Sequence, residues 1–311
     1  MTENSRPKVV VIAGPTASGK TSLGVELALA LKGEVINADS MQVYRYMDVG
    51  TAKPTPEKQK GILHHLLNVV DPDEEFNAAI YRSMALPLVK DISSRGKICF
   101  VVGGTGLYIK SLLGGLFNCP SADQGLRESL RRESEVYGSV SLHGRLRLLD
   151  PESAGKIHPN DRARIMRALE IVHLTNQRPS DLSREHGFGD RPLSALTFCL
   201  KVDREQLYHR INERSMAMVE AGLPEETESL LKKGYSAGLK PMKSIGYRHM
   251  VKYLKGDWSL AEAIHNLQRD TRRYAKRQLT WFRADPEVTW IVPEDLDLVL
   301  KKTRAFLLET A

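Results

Sequence analysis

Short apolar runs alternate with longer amphipathic stretches over the first hundred residues. Lys8–Ala13 holds the run Val9-Val10-Val11-Ile12, and a helix is expected over Thr21–Leu31. A second strand, Glu34–Ala38, ends at Asp39; a third is expected over His65–Val70. Phe76–Ser94 has helical spacing, and Ile98–Val102 is apolar throughout. Strands with no polar alternation are covered on both faces. With helices between them, they predict a parallel sheet.

The pattern changes after Phe117. From Asn118 to Ser194 strand signals nearly vanish and charges multiply. Asp123 is placed to cap a helix running toward Tyr137, and Asp150-Pro151 supplies a cap and a first-turn proline. Asn160-Asp161 opens a helix over Arg162–Leu174, with Ile165, Leu169 and Val172 on one stripe. Gly187-Phe188-Gly189 closes the stretch. Ala195–Val202 then reads as a strand returning to the sheet, and Val288–Val292 as a last edge strand after a helical tail. The expected fold class is α/β, a P-loop NTPase-like parallel sheet core with an inserted all-helical domain. The core takes residues 1–117 and 195–311, including the C-terminal helices; the insertion takes 118–194.

Composition narrows the setting. Charged residues make up 27% and hydrophobic ones 41%, ordinary for a soluble globular protein. No apolar run approaches a membrane span. The run Met1-Thr2-Glu3-Asn4-Ser5-Arg6 has no features of a targeting peptide. Cys99, Cys119 and Cys199 are isolated, which fits a reducing compartment and gives no zinc spacing. A cytoplasmic monomer without membrane association is expected. The net charge of +7 becomes informative only through its distribution.

Gly14-Pro15-Thr16-Ala17-Ser18-Gly19-Lys20-Thr21 matches G-x-x-x-x-G-K-[ST] between a strand and a helix. Such a loop turns backbone N–H groups toward phosphate oxygens at a helix N-terminus. Lys20 adds a point charge, and the Thr21 hydroxyl is placed to meet Mg²⁺. The strand Ile98–Val102 ends in Gly103-Gly104-Thr105-Gly106 rather than in a Walker B acid, which weakens a water-activating hydrolase. Small residues there suit close approach of a substrate or simple packing, with Thr105 as the one hydrogen-bonding side chain. Asp39 stands at the carboxyl end of a strand, where open α/β sheets bind ligands. It suits proton acceptance, metal holding or helix capping. The arrangement fits phosphoryl transfer to a hydroxyl, and equally attack on carbon with pyrophosphate leaving.

Cations cluster in two places: Arg162, Arg164 and Arg167, and Arg269–Arg283, where six basic residues face one acid. Arg269, Arg273, Lys276 and Arg283 share a helical face, with Trp281 and Phe282 nearby. Interleaved cations and aromatics suit RNA, although a charge run also suits a solvated face. Arg210 and Arg214 lie one turn apart, able to reach the phosphate site or to pair with Glu213 and Glu220.

Several segments resemble the tRNA dimethylallyltransferase family. They are Gly14–Thr21, Asp39-Ser40-Met41-Gln42-Val43-Tyr44-Arg45, Asp48-Val49-Gly50-Thr51-Ala52-Lys53-Pro54 and Gly103-Gly104-Thr105-Gly106-Leu107-Tyr108. Farther on come Ile157-His158-Pro159-Asn160-Asp161, Arg167-Ala168-Leu169-Glu170, Ser244-Ile245-Gly246-Tyr247-Arg248 and Ala275–Arg283. They run in order over nearly the whole chain.

The resemblance implies transfer of a dimethylallyl group from dimethylallyl diphosphate to N6 of adenosine 37, next to the anticodon of tRNA. Pyrophosphate is released. It implies that Gly14, Pro15, Thr16, Ala17, Ser18, Gly19, Lys20 and Thr21 hold the diphosphate together with Arg214, with Mg²⁺ at Thr21. Asp39 is then the general base, with Thr105 beside it in the reaction channel. Contacts to the anticodon stem-loop are implied for Asp39, Ser40, Met41, Gln42 and Thr105, for Arg127, and for Ala163, Arg164, Ile165, Met166 and Arg167. They are also implied for Lys243, Arg248, Lys276, Arg277, Gln278, Trp281 and Arg283. Ala163 stands where the family often carries Gln. The cysteine count leaves no zinc-finger tail of the eukaryotic kind, which fits a bacterial enzyme. Two readings compete on the residues alone: a P-loop small-molecule kinase, and a non-catalytic RNA-binding protein with a nucleotide as structural ligand. A prenyltransferase for free adenine nucleotides shares the chemistry but has no use for the insertion or the basic C-terminal helix.

Overall fold

The computed structural model describes residues 6–117, 119–120 and 123–309. Up to Ser5, the run read for a targeting signal lies outside the described residues, as does Asn118, the expected first residue of the insertion. The chain forms two compact units, Met1–Leu113 with Pro192–Ala311, and Gly114–Arg191.

In the first unit β1 (Lys8–Ala13) leads through the glycine-rich loop to α1 (Lys20–Leu31) and β2 (Glu34–Asn37). A long loop carries the short α2 (Pro56–Gln59) and β3 (His64–His65), followed by α3 (Ala78–Ser94), β4 (Cys99–Gly103) and α4 (Gly106–Gly114). The sheet lies in the order β3-β2-β4-β1-β5-β6 and is parallel throughout; β5 is Ser194–Leu200 and β6 is Thr289–Ile291. The third strand is shorter than the expected His65–Val70. Leu66 and Asn68 take left-handed backbone angles and turn the chain away. Only an isolated bridge, Tyr44 to Val70, remains of the rest.

Side chains of β1 alternate between two apolar layers, as strand geometry requires. Val9 and Val11 pack with Ile36, Val101 and Cys199 on one face. Val10 and Ile12 pack with Val35, Phe100, Phe198 and Leu200 on the other. Val9 to Ala13 of β1 are fully buried, and β5 joins that core through Phe198, Cys199 and Leu200, while its first half is partly exposed.

The second unit contains α5 (Gln124–Leu149), α6 (Pro151–Lys156), α7 (Arg162–Thr175) and α8 (Pro179–His186). The first helix does not stop near Tyr137. It kinks at Gly138, whose φ of 80° is non-helical, and resumes. Its N-terminus is capped by Asp123, and that of α7 by Asp161. Leu130, Leu142, Leu146, Ala154, Ile165 and Leu169 form its core.

After β5 come α9 (Arg204–Glu220), α10 (Leu223–Lys232), α11 (Tyr247–Leu254) and α12 (Leu260–Arg283). A capping box at Ser259 and Glu262 starts α12. The chain closes with β6 and α13 (Leu296–Leu308). Among the described residues no helix is long and apolar enough to cross a membrane.

Candidate active site

The site is built at the carboxyl ends of β1, β2 and β4. The loop after β1 reaches α1 through Gly19, whose φ of 93° places it in the left-handed region. Glycine adopts that conformation without the Cβ clash other residues suffer. Inside the loop, Ser18 is fully buried and its Oγ has no partner. A buried hydroxyl without a bond is destabilising unless a ligand completes it. Lys20 Nζ folds back to the Pro15 carbonyl at 3.2 Å. Burial pushes its ammonium down to about 8, with the Asp39 carboxylate opposing the shift and Arg214 adding to it. A half-buried cation short of a full counter-charge suits an arriving diphosphate.

Asp39 follows β2. Its Oδ1 accepts the Met41 N–H at 2.9 Å, and its own N–H donates to Asn37 Oδ1 at 3.2 Å. The carboxylate is thereby held at one oxygen and left available at the other. Thr105 follows β4. Its N–H donates to the Ala38 carbonyl at 3.1 Å, and its Oγ1 accepts the Ser40 N–H at 3.0 Å. Asp39 and Thr105 thus come from neighbouring strands and are locked to each other's loops. The Gly103-Gly104 pair lets the loops meet. A Cβ on Gly103 would lie 2.2 Å from the Ala38 carbonyl oxygen, and one on Gly104 2.2 Å from Gln278 Nε2.

A cavity of about 280 Å³ opens beside these residues, lined by Asp39, Ser40, Met41, Gly50, Arg214 and Tyr274 among others. Burial lowers the pKa of Arg214, with Asp39 pulling the other way. The Tyr274 hydroxyl is pushed up, first by burial and then by Asp39, while its bond with the Thr105 side chain acts against the shift. It therefore stays protonated beside the carboxylate. Arg210 is half-buried on α9 and does not line this cavity.

Two side chains expected at an RNA surface are turned inward. Ile165 is fully buried in the core of the helical unit, on the same stripe as Leu169. Gln278 is 5% exposed. Its Oε1 accepts the Thr16 N–H at 2.9 Å, and its Nε2 donates to the Gly104 carbonyl at 2.9 Å. It clamps the phosphate loop to the β4 loop. Lys276, Arg277 and Arg283 of that helix end are exposed, and Trp281 is 42% exposed; Arg277 also lines the rim of the cavity. Lys243 and Arg248 are exposed on the preceding segment, although Arg248 donates to Asp270 at 2.6 Å. Ser40 and Met41 are half-buried and line the cavity, and Gln42 is half-buried next to them without lining it.

In the helical unit Ala163 and Arg164 are exposed, and Met166 is half-buried against the core. Arg127 and Arg167 flank the buried carboxylate of Glu170, at 2.9 and 2.5 Å. Glu170 also accepts the Asp123 N–H at 2.8 Å. Burial acts to raise the Glu170 pKa, but these bonds hold its carboxyl below the usual range. The two arginines are thus oriented before any ligand arrives.

Three residues escaped the sequence reading: Tyr274, the clamping role of Gln278, and Glu226, whose carboxylate meets the loop after Asp48. For Gln278 a signal existed. Ala275, Gln278 and Phe282 share the buried stripe of α12 at spacings of three and four. Nothing local marks Glu226, because its partners are far away in sequence.

The IPP transferase family model matches residues 42–285, and an isopentenyl transferase model matches residues 7–69. The chain is 51% identical over 296 residues to the tRNA dimethylallyltransferase of Geobacter sulfurreducens, spanning 95% of both proteins. It is 50% identical over 287 residues to that of Desulfosudis oleivorans, spanning 92% of this chain and 91% of the relative. Among solved structures, the full-length tRNA isopentenylpyrophosphate transferase of Bacillus halodurans superposes with a TM-score of 0.71 at 42% identity, over 97% of this chain and 96% of that one. A eukaryotic dimethylallyltransferase acting on tRNA gives 0.78 at 30% identity, over 97% of this chain and 78% of that one.

Proposed function

The chain belongs to the IPP transferase family, and from that premise we propose that it moves a dimethylallyl group from dimethylallyl diphosphate to N6 of adenosine 37 in tRNA. The observation carrying this reading is the pairing of Asp39 and Thr105 on adjacent loops, beside a cavity and a phosphate loop.

In the reaction the N6–C1 bond forms as the C1–O bond to diphosphate breaks. The electron pair leaves on pyrophosphate, and the N6 proton passes to Asp39. An exocyclic amine is a weak nucleophile, so proton removal as the bond forms contributes directly to rate. Thr105 and the protonated Tyr274 hold the amine and the carboxylate in register. The loop amides, Lys20 and Arg214 stabilise charge growing on the leaving group. Walls of Met41, Ile211 and Leu267 keep water from an allylic carbon that would otherwise hydrolyse.

Mg²⁺ fits the donors present. The Thr21 hydroxyl and the unpartnered Ser18 Oγ are hard oxygen ligands. Among the described residues no group of three acids, histidines or cysteines forms a metal cage. When bound, the ion neutralises diphosphate charge. Target tRNA engages two basic surfaces: Arg127, Ala163, Arg164 and Arg167 on the helical unit, and Lys243, Arg248, Lys276, Arg277, Trp281 and Arg283 on the core. The base leaves its stack to reach the cavity.

The test is incorporation of radiolabelled dimethylallyl diphosphate into unmodified tRNA with Mg²⁺ and without ATP, beside a free AMP control. Label at the adenosine adjoining the anticodon is expected. Label only in AMP would assign a nucleotide substrate, and no label in either would favour a kinase.

A further inference from the structure

Glu226 lies in the first turn of α10, yet its carboxylate serves a loop far away in sequence. Oε2 accepts the N–H groups of Asp48 and Val49, each at 2.8 Å. Oε1 accepts the Gly50 N–H at 3.0 Å and the Tyr247 hydroxyl at 2.6 Å. Four donors therefore converge on one side chain, three of them consecutive backbone amides. Charge-assisted bonds of this kind are the strong ones. The loop is pressed onto the same helices by packing: a Cβ on Gly50 would lie 2.5 Å from the Tyr247 ring and 2.7 Å from Leu223. Its far end is held by Lys53, whose side chain is 4% exposed. Lys53 Nζ donates to the Tyr44 carbonyl at 2.7 Å and to Asp48 Oδ1 at 2.6 Å.

The loop held this way forms part of the cavity. Gly50 and Thr51 line its wall. The carbonyls of Thr51 and Ala52 accept from Gln42 Nε2 at 3.1 and 3.3 Å. Two carbonyl partners fix which end of the carboxamide faces them and leave Oε1 on the opposite side, next to Met41, which lines the cavity.

We propose that Glu226 is a positioning residue for the target base: by latching Asp48–Gly50 to the C-terminal helices, it sets the carbonyls that aim Gln42. The latch touches neither the diphosphate site nor Asp39. It rests on the reading that Gln42 meets the base.

The test is a double-mutant cycle on the whole protein, following transfer from dimethylallyl diphosphate to tRNA. Glu226→Ala is expected to raise KM for tRNA about tenfold or more, the scale of a misplaced binding group. KM for dimethylallyl diphosphate should stay within about twofold of wild type. Gln42→Ala should do the same, and Glu226→Ala with Gln42→Ala should be no worse than the more severe single variant, because both act through one contact. An equal rise in both KM values, or additive effects of the two substitutions, would overturn the proposal and leave Glu226 a stabilising residue only. If Glu226→Ala does not fold, Glu226→Gln carries the same comparison, since it keeps the shape and sets an NH₂ against an N–H. Absence of transfer by the wild-type protein would instead reject the functional reading beneath it.

Discussion

Gln278 accepts the Thr16 N–H through its side-chain oxygen, so a residue near the end of α12 sets the first turn of the phosphate loop. Its amide nitrogen ties the same point to Gly104. The glycine-rich loop and the Thr105 loop are therefore braced by one carboxamide. Truncation in Gln278→Ala strands two backbone groups at a cost of about 1–3 kcal/mol. The expected outcome is a lower melting temperature and weaker binding of diphosphate, read by thermal unfolding and by titration with pyrophosphate. Unchanged pyrophosphate affinity would show that the loop holds its shape unaided.

Asp39→Ala should cut kcat by a factor of roughly 10² or more, the scale of a lost general base. Affinity for tRNA should stay within about tenfold, because the carboxylate contributes one contact among many. Single-turnover transfer and filter binding separate the two. Near-normal turnover would remove Asp39 from proton transfer.

Lys20 gives binding a pH dependence with a definite sign. Its ammonium is charged below about 8 in the free protein and neutral above. Diphosphate favours the charged form, so affinity should fall as pH rises through that value, by up to about tenfold per pH unit. Lys20→Arg keeps its charge over the same range and should flatten the curve. Equilibrium binding from about pH 7 to about pH 11 is the measurement, spanning the shifted and the ordinary lysine pKa.

Arg277→Glu places an acid on the exposed face of α12. Binding to tRNA should weaken, and the slope of log affinity against log salt should become shallower by about one. An equal slope would return this face to plain solvation.

The helical unit has its own weak point in acid. Asp150 is fully buried and accepts four bonds, from the N–H and hydroxyl of Ser153 and of Ser180. Burial would raise its pKa, but the four donors outweigh it and hold the carboxyl below its ordinary value. Stability from this group is thus present above the unfolded pKa near 4 and lost as pH falls below it. Asp150→Ala should cost about 2–4 kcal/mol at neutral pH. The gap between variant and wild type should narrow in acid, as thermal melts at the two pH values would show.

Local patterns carried much of this fold. Apolar β-branched runs marked β1, β2, β4 and β5, and capping residues such as Asp123 and Asp161 marked helix starts. Asp39 and Thr105 were legible because strand ends point to ligand sites. What escaped was non-local. The shortening of β3 depends on left-handed angles at Leu66 and Asn68; Asn68 carries a turn preference, but Leu66 gives no local sign of it. Ile165 was readable both as core and as part of a contact segment, and packing against Leu130 and Leu142 settled its side chain inward. Gln278 looked like a member of a basic surface because charge was counted around it. Its neighbours Ala275 and Phe282 on the same stripe show that it faces the core.

The parallel pairing of β1 with β5 joins Lys8 to Ser194 and Ala13 to Cys199. The whole helical unit is synthesised between those partners. On the ribosome β1 can pair early with β4, but its other edge stays open until residues 194–200 emerge. Pairing across so long a separation is slow, because the loop must close before the contact rewards it. From the completion of β4 until the arrival of β5 the nascent chain therefore carries β1 with one bare edge, and the inserted helices are free to fold first. Conditions that slow the arrival of β5 should expose this edge to aggregation well before any defect in catalysis appears.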